Sequence, residues 1–228
     1  MANKTIVMSL GGSLIAPKGV DVKFLKNFKK IIIDFVKKGN RVIIVCGGGD
    51  TCRKYQGAAK KVNPKVTHID LDWVGIATTK INAELVRAIF GNLAYEKVIH
   101  NPSAKIKTTK KIIVGAGYLP GSSSDKDAVL IAKNFHAKTL INLSNISYVY
   151  DKDPNKFKNA KKYKQMKWND FQKIVGYKWV PGAHVPFDPI ATKLSHKLGL
   201  TLVIAMGSDL NNLKSILTNK KIKGTVIS

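Results

Sequence analysis

The chain has 228 residues, 44% of them hydrophobic, and carries 39 Lys and Arg against 14 Asp and Glu, for a net charge of +25. That length and apolar content are enough to bury a sizeable core as one domain or two small lobes. No apolar run approaches the roughly 20 residues of a membrane span, and TIVMSL near the start is too short for a signal-peptide core, so a soluble, cytoplasmic protein is expected.

In chain order, TIVMSL (5–10) reads as a strand. Asp21 is placed to cap a helix whose apolar residues Phe24, Leu25, Phe28, Ile31, Ile32 and Phe35 recur at helical spacing until Gly39. RVIIVC (41–46) is a second strand, followed by a helix from about Asp50 and a longer amphipathic segment over about 70–90. KVI (97–99), KIIVGA (111–116) and KTLINL (138–143) read as further strands, with a helix from near Asp125 between the last two. The Lys/Asn-rich stretch 151–167 reads as a surface loop. A helix near Asp188, a strand LTLVIA (200–205), a short helix 209–217 and a terminal GTVIS complete the pattern. Strand–helix alternation of this kind predicts an α/β protein with a mostly parallel sheet covered on both faces. Ligands of such sheets bind outside the carboxyl ends of the strands.

A charge of +25 attracts nucleic acid, nucleotides or anionic membranes. Arg41, Arg53 and Arg87 are the only arginines, however, and the lysines are spread along the whole chain, so a solvated lysine surface is favoured over a dedicated nucleic-acid face. The two cysteines, Cys46 and Cys52, read as free thiols, and the histidines at 68, 100, 136, 184 and 196 lack metal-ligand spacing.

Four glycine- or hydroxyl-rich stretches follow or close predicted strands: SLGGS (9–13), GGGD (47–50), GAGYLPGSSSD (115–125) and LSNISYVYDKDP (143–154). None fits G-x-x-x-x-G-K-[ST] or G-x-G-x-x-G with a following acid, which disfavours a P-loop NTPase and a dinucleotide-binding dehydrogenase. Each alone is compatible with an ordinary turn or helix cap. Together they bare backbone amides beside helix N-termini, the chemistry of phosphate binding, and two such cradles on one sheet point to a phosphoryl donor and an acceptor. Arg53, on the first turn after GGGD, is placed to fork onto a phosphate there, although a solvated helix position is the plain alternative. Asp125 and Asp188 are compatible with helix caps, Asp72 with the cap of the 70–90 helix, and Tyr150 with a packed strand residue.

SLGGS, VCGGGDTCRKY, DWVGIATTKINA, PGSSSD, SNISYVYDKDP and FDPIATK, in this order over essentially the whole chain, resemble the amino acid kinase superfamily, and within it the archaeal type of UMP kinases. The resemblance implies a three-layer α/β/α sandwich as one domain over 1–228, ATP and UMP as substrates, Mg²⁺ carried mainly by the ATP phosphates, and a homo-oligomer, commonly a hexamer. The part before about 138 would serve mainly UMP and the part after it mainly ATP. It assigns Gly11, Gly12, Ser13 and Gly49 to the ATP phosphates, and Gly48 and Asp72 to UMP. Tyr118, Leu119, Pro120, Gly121, Ser122, Ser123 and Ser124 form the loop around the uridine. Ser144, Asn145, Tyr150 and Asp153 lie on the ATP side, Arg53 at the junction of the phosphates, and Asp125 and Asp188 in the active site. The chain departs from the pattern at Ser9, where relatives usually carry Lys, with Lys193 the candidate substitute cation. It also departs at Lys80 for Arg, at the serines 122–124 for threonines, and at NISY (145–148) for N-V-D-G. A weakly catalytic regulator that binds nucleotide or nucleic acid on the same fold is the alternative from a different class.

Overall fold

The structure, a computed structural model, describes residues 3–178 and 185–228. In chain order it comprises β1 (Thr5–Leu10), α1 (Gly12–Ile15), α2 (Val22–Lys37), β2 (Arg41–Cys46), α3 (Gly49–Val62), α4 (His68–Phe90), β3 (Ile112–Gly115), α5 (Ser124–Asn134), β4 (Thr139–Ser144), β5 (Val149–Tyr150), β6 (Lys162–Tyr163), β7 (Gln165–Met166), α6 (Trp168–Val175), α7 (Pro189–Lys197), β8 (Thr201–Met206), α8 (Leu210–Leu217) and β9 (Thr225–Ile227). Seven strands form one sheet in the order β3-β2-β1-β4-β8-β9-β7, while β5 and β6 pair apart from it. The first five are mutually parallel, β9 runs antiparallel to β8, and β7 is parallel to β9.

The near-continuous Val/Ile runs of the central strands are explained by burial on both faces. Ile6, Met8 and Leu10 of β1, with Val42, Ile44 and Cys46 of β2, pack on one face under α2, α4 and α8. Val7, Ile43, Val45, Leu140, Leu202 and Ile204 pack on the other under α5, α6 and α7. The expected α/β/α sandwich follows from this period-two division of side chains. The predicted cap Asp21 accepts the Phe24 amide at 2.8 Å, and the stripe Phe24, Leu25, Phe28, Ile32 and Phe35 is buried.

Three expectations are corrected. KVI (97–99) is no strand. Only Ile99 pairs beside β3, its amide donating to Val114 O and its carbonyl accepting from Ala116 N. The stretch 151–167 is not all loop, since it carries β6 and β7. It is also followed by a helix, α6, that lysines obscured: Trp168, Phe171 and Val175 are buried one or two turns apart, and Trp168 Nε1 donates to Leu200 O at 3.1 Å.

The registers Leu10↔Cys46, Leu10↔Leu143, Val45↔Gly115 and Ser144↔Met206 bring the carboxyl ends of five parallel strands to one edge. Successive connections leave β1 toward β2 and β3, then return to β4 on its other side. The edge between β1 and β4 is therefore the topological switch point, where such sheets form their crevice.

Candidate functional site

At that edge the first two glycine stretches are pressed together. A Cβ on Gly12 would lie 2.4 Å from Gly47 O and 2.5 Å from Gly49 N, and one on Gly49, which has φ +65°, would lie 2.2 Å from Gly12 C. The sequence expectation that these glycines admit a ligand is thus refined: what comes closest to each is the other loop. Gly48 is equally constrained, since its Cβ would lie 2.6 Å from Thr78 Oγ1 on α4. From the same helix, buried Asn82 donates through Nδ2 to Gly47 O at 2.8 Å and Gly48 O at 3.4 Å. Asn82 thereby holds both carbonyls, and among the described residues no side chain caps α3, which leaves its first amides without a side-chain acceptor.

Arg53, one turn into α3, crosses to the first loop. Its Nη2 donates to Ser13 Oγ at 3.1 Å and stands 3.6 Å from Asp50 Oδ1. Asp50 is held below the usual carboxylate range, chiefly by its hydrogen bond from Lys54. Gly11, Gly12, Ser13, Gly48, Gly49 and Arg53 therefore lie together in one cluster.

The third stretch is anchored from two helices. Gly117 N donates to Thr79 Oγ1 at 2.8 Å, Gly121 N to Asp72 Oδ2 at 2.8 Å, and Tyr118 N to Asp127 Oδ2 at 3.1 Å. Asp72 does not cap α4, because Thr67 and Asp70 form a reciprocal capping box there and leave Asp72 free for the loop. Leu119 is exposed and Pro120 half-buried, with Gly121 at φ +74° turning the loop back toward Ser122, Ser123 and Ser124.

Beneath these loops two carboxylates meet. Ser123, not Asp125, caps α5, accepting the Lys126 amide at 3.2 Å. Asp125 instead accepts Ser9 Oγ at 3.3 Å through Oδ1 and the Asp188 amide at 3.3 Å through Oδ2. Asp188 is itself a cap, with Oδ1 accepting from Ala191 N at 2.7 Å. Burial first, and then the neighbouring Asp188 charge, push the Asp125 carboxyl up to about 7. Lys193 is exposed on α7 and forms no ion pair among the described residues.

The C-terminal candidates are less convergent. Ser144 Oγ donates to Asn145 Oδ1 at 3.2 Å at the end of β4, and Tyr150 is half-buried in β5 opposite Lys162. Asp153 is exposed and accepts Asn155 N at 2.9 Å, so DKDP forms the plain turn its sequence allows. Among the described residues no group of three or more His, Cys, Asp and Glu could hold a metal ion, and His184 lies outside them. Cys46 and Cys52 are free thiols, as expected.

Asn82, Thr79 and Asp127 are site residues that the sequence reading did not single out. Asn82 and Thr79 sit inside DWVGIATTKINA, four and three residues apart from Thr78 and Ile76, a spacing that puts them on one helix face. Asp127 had a signal in the D-x-D that opens α5 beneath a hydroxyl loop.

The chain matches the amino acid kinase family over residues 4–206. It is 32% identical over 226 residues to a uridylate kinase of Methanobrevibacter smithii, covering 98% of this chain and 99% of that one. It is 33% identical over 208 residues to a uridylate kinase of Sulfolobus acidocaldarius, covering 89% and 90% respectively. The crystal structure of uridylate kinase from Archaeoglobus fulgidus superposes with a TM-score of 0.84 at 27% identity over 98% of this chain and 99% of that chain.

Proposed function

This chain belongs to the amino acid kinase family, and on that premise we propose that it transfers the γ-phosphoryl group of ATP to UMP, yielding ADP and UDP. The observation that carries the proposal is its near full-length similarity, in sequence and in structure, to uridylate kinases. The joined glycine loops with Arg53 across them are the site-level support. No observation favours the nucleic-acid-binding alternative.

Phosphoryl transfer asks the protein for positioning and charge neutralisation more than for covalent chemistry. We assign the donor phosphates to the amides of Gly11, Gly12, Ser13 and Gly49, and the acceptor phosphate to Gly48, with Arg53 neutralising charge where the two meet. Asp72 and the loop from Tyr118 to Ser124 hold the uridine, and Ser144, Asn145, Tyr150 and Asp153 complete the donor side. Asp125 and Asp188 would hold Mg²⁺, because carboxylates offer the hard oxygen donors it takes, and the ion would supply neutralisation of the charge that develops on the transferred group. Lys193 is the candidate for the cation that Ser9 does not supply. A panel of UMP, CMP, dUMP, acetylglutamate and aspartate with ATP tests the assignment. UMP is expected to give the highest kcat/KM, and a carboxylate acceptor giving it instead overturns the reading.

No helix among the described residues is long and apolar enough to cross a membrane. By family resemblance we propose a cytoplasmic location. We further propose a homo-oligomer, a hexamer by family resemblance. Helix α3 has no buried residue, Tyr55 and Val62 stand exposed two turns apart on it, and Ile69 and Trp73 stand exposed one turn apart on the adjoining α4. Light scattering is expected to give a mass several times 25.0 kDa, reduced by Trp73→Lys. A monomer mass in the wild type contradicts this.

A further inference from the structure

Asp127 is a buried carboxylate for which the assignments above leave no role. It lies in the first turn of α5 with 1% exposure, behind the loop 117–124. The only cation acting on it among the described residues is its helix neighbour Lys126. Isolating a charge in this way is costly, and an apolar residue in the same place is often at least as stable. What the carboxylate does is visible in its two oxygens. Oδ2 accepts the Tyr118 amide at 3.1 Å on the limb leaving β3, and Oδ1 accepts Ser122 Oγ at 3.3 Å on the limb returning to α5.

We propose that Asp127 is a positioning residue for the acceptor. One oxygen holds each limb of the loop 117–124, and this double grip keeps the loop in the shape that receives the nucleoside monophosphate. The inference rests on the reading that this loop binds the acceptor. Asp72 supplies a third point on the loop tip, at Gly121, from the opposite helix. Thr79 pins only its start, at Gly117. Among the described residues only Asp127 spans both limbs, so it fixes their separation.

Steady-state kinetics on the full-length protein with ATP and UMP test the grip. In Asp127→Ala, KM for UMP is expected to rise about tenfold, while kcat and KM for ATP stay within about twofold. Asp127→Asn is expected to restore KM for UMP to within about threefold of wild type. Its amide oxygen accepts from Tyr118 N–H and its N–H₂ donates to Ser122 Oγ, without the charge. If Asp127→Ala does not fold, Asp127→Ser is the second variant, since its hydroxyl reaches only one limb, and the same KM split is expected. A general loss of structure would raise both KM values together and would not be relieved selectively by Asn. An unmoved KM for UMP, or an equal rise in KM for ATP, overturns the grip while leaving the kinase assignment standing. Absence of UMP turnover by the wild type overturns that assignment, and the acceptor role of Asp127 with it.

Discussion

Replacing Arg53 by alanine is expected to lower kcat/KM about 10²–10³-fold, the usual cost of removing one preorganised donor from a site of developing charge. The effect on stability is expected to be small. The Arg53 side chain is 61% exposed and its ion pair with Asp50 is a surface pair, worth less than about 1 kcal/mol. The melting temperature should therefore stay within about 2 °C of wild type. Arg53→Lys should recover only part of the rate, because a lysine is a point charge and cannot reach donor and acceptor oxygens with one planar fork. Activity within threefold of wild type in Arg53→Ala removes this residue from the transfer step.

Asp125→Asn is expected to move activity and stability in opposite directions. Activity should fall about 100-fold or more, because on the proposed assignment Asp125 and Asp188 together would hold Mg²⁺. Stability should rise. The Asp125 carboxyl sits at about 7 in the folded chain, far above its range in an unfolded one near 3.9. Between those values the folded state binds more protons than the unfolded state, so wild-type stability declines as pH rises from about 4 to about 7 and the loss persists above that. Asparagine keeps an acceptor for the Asp188 amide and removes the charge. The variant is expected to melt about 3–6 °C higher than wild type at pH 8, with the difference gone near pH 4. Thermal melts without ligand at both pH values decide it. Equal melting temperatures at pH 8 would mean that the carboxylate pair carries no such penalty. The expected outcome is a trade of stability for function, as at other sites that hold like charges together.

The sheet and its helices were legible because the period of hydrophobic residues is a local property. β1, β2, β4 and β8 announce themselves as Val/Ile runs, and α2 as a stripe ending in Gly39. What was not legible depended on distant partners. The three glycines of the second loop read as room for a ligand, whereas Gly49 is required first by Gly12. No local signal reveals that Asn82 reaches back to Gly47, 35 residues earlier, or that Ser9 meets Asp125 across 116 residues. The cap readings of Asp72 and Asp125 failed for the same reason. Asp70 and Ser123 take the capping bonds, which leaves Asp72 and Asp125, both acids near helix starts, for the loop and the carboxylate pair. The lone pairing of Ile99 shows the converse, a strand-like triplet with too few ladder bonds to form a strand. Family resemblance reached the assignments of Asp72 and Asp125 without this geometry. The structure shows what each carboxylate touches, and Asp127, which the resemblance did not include, is added from its contacts alone.

On the proposed assignment the two joined glycine loops bring ATP and UMP together for direct transfer. Incubating the purified protein with ATP, Mg²⁺ and UMP and separating the nucleotides by ion-exchange chromatography tests this directly. UDP and ADP are expected in equal amounts, with neither formed when UMP or protein is omitted. ADP without UDP in the presence of UMP, or transfer only to a carboxylate acceptor, would contradict it.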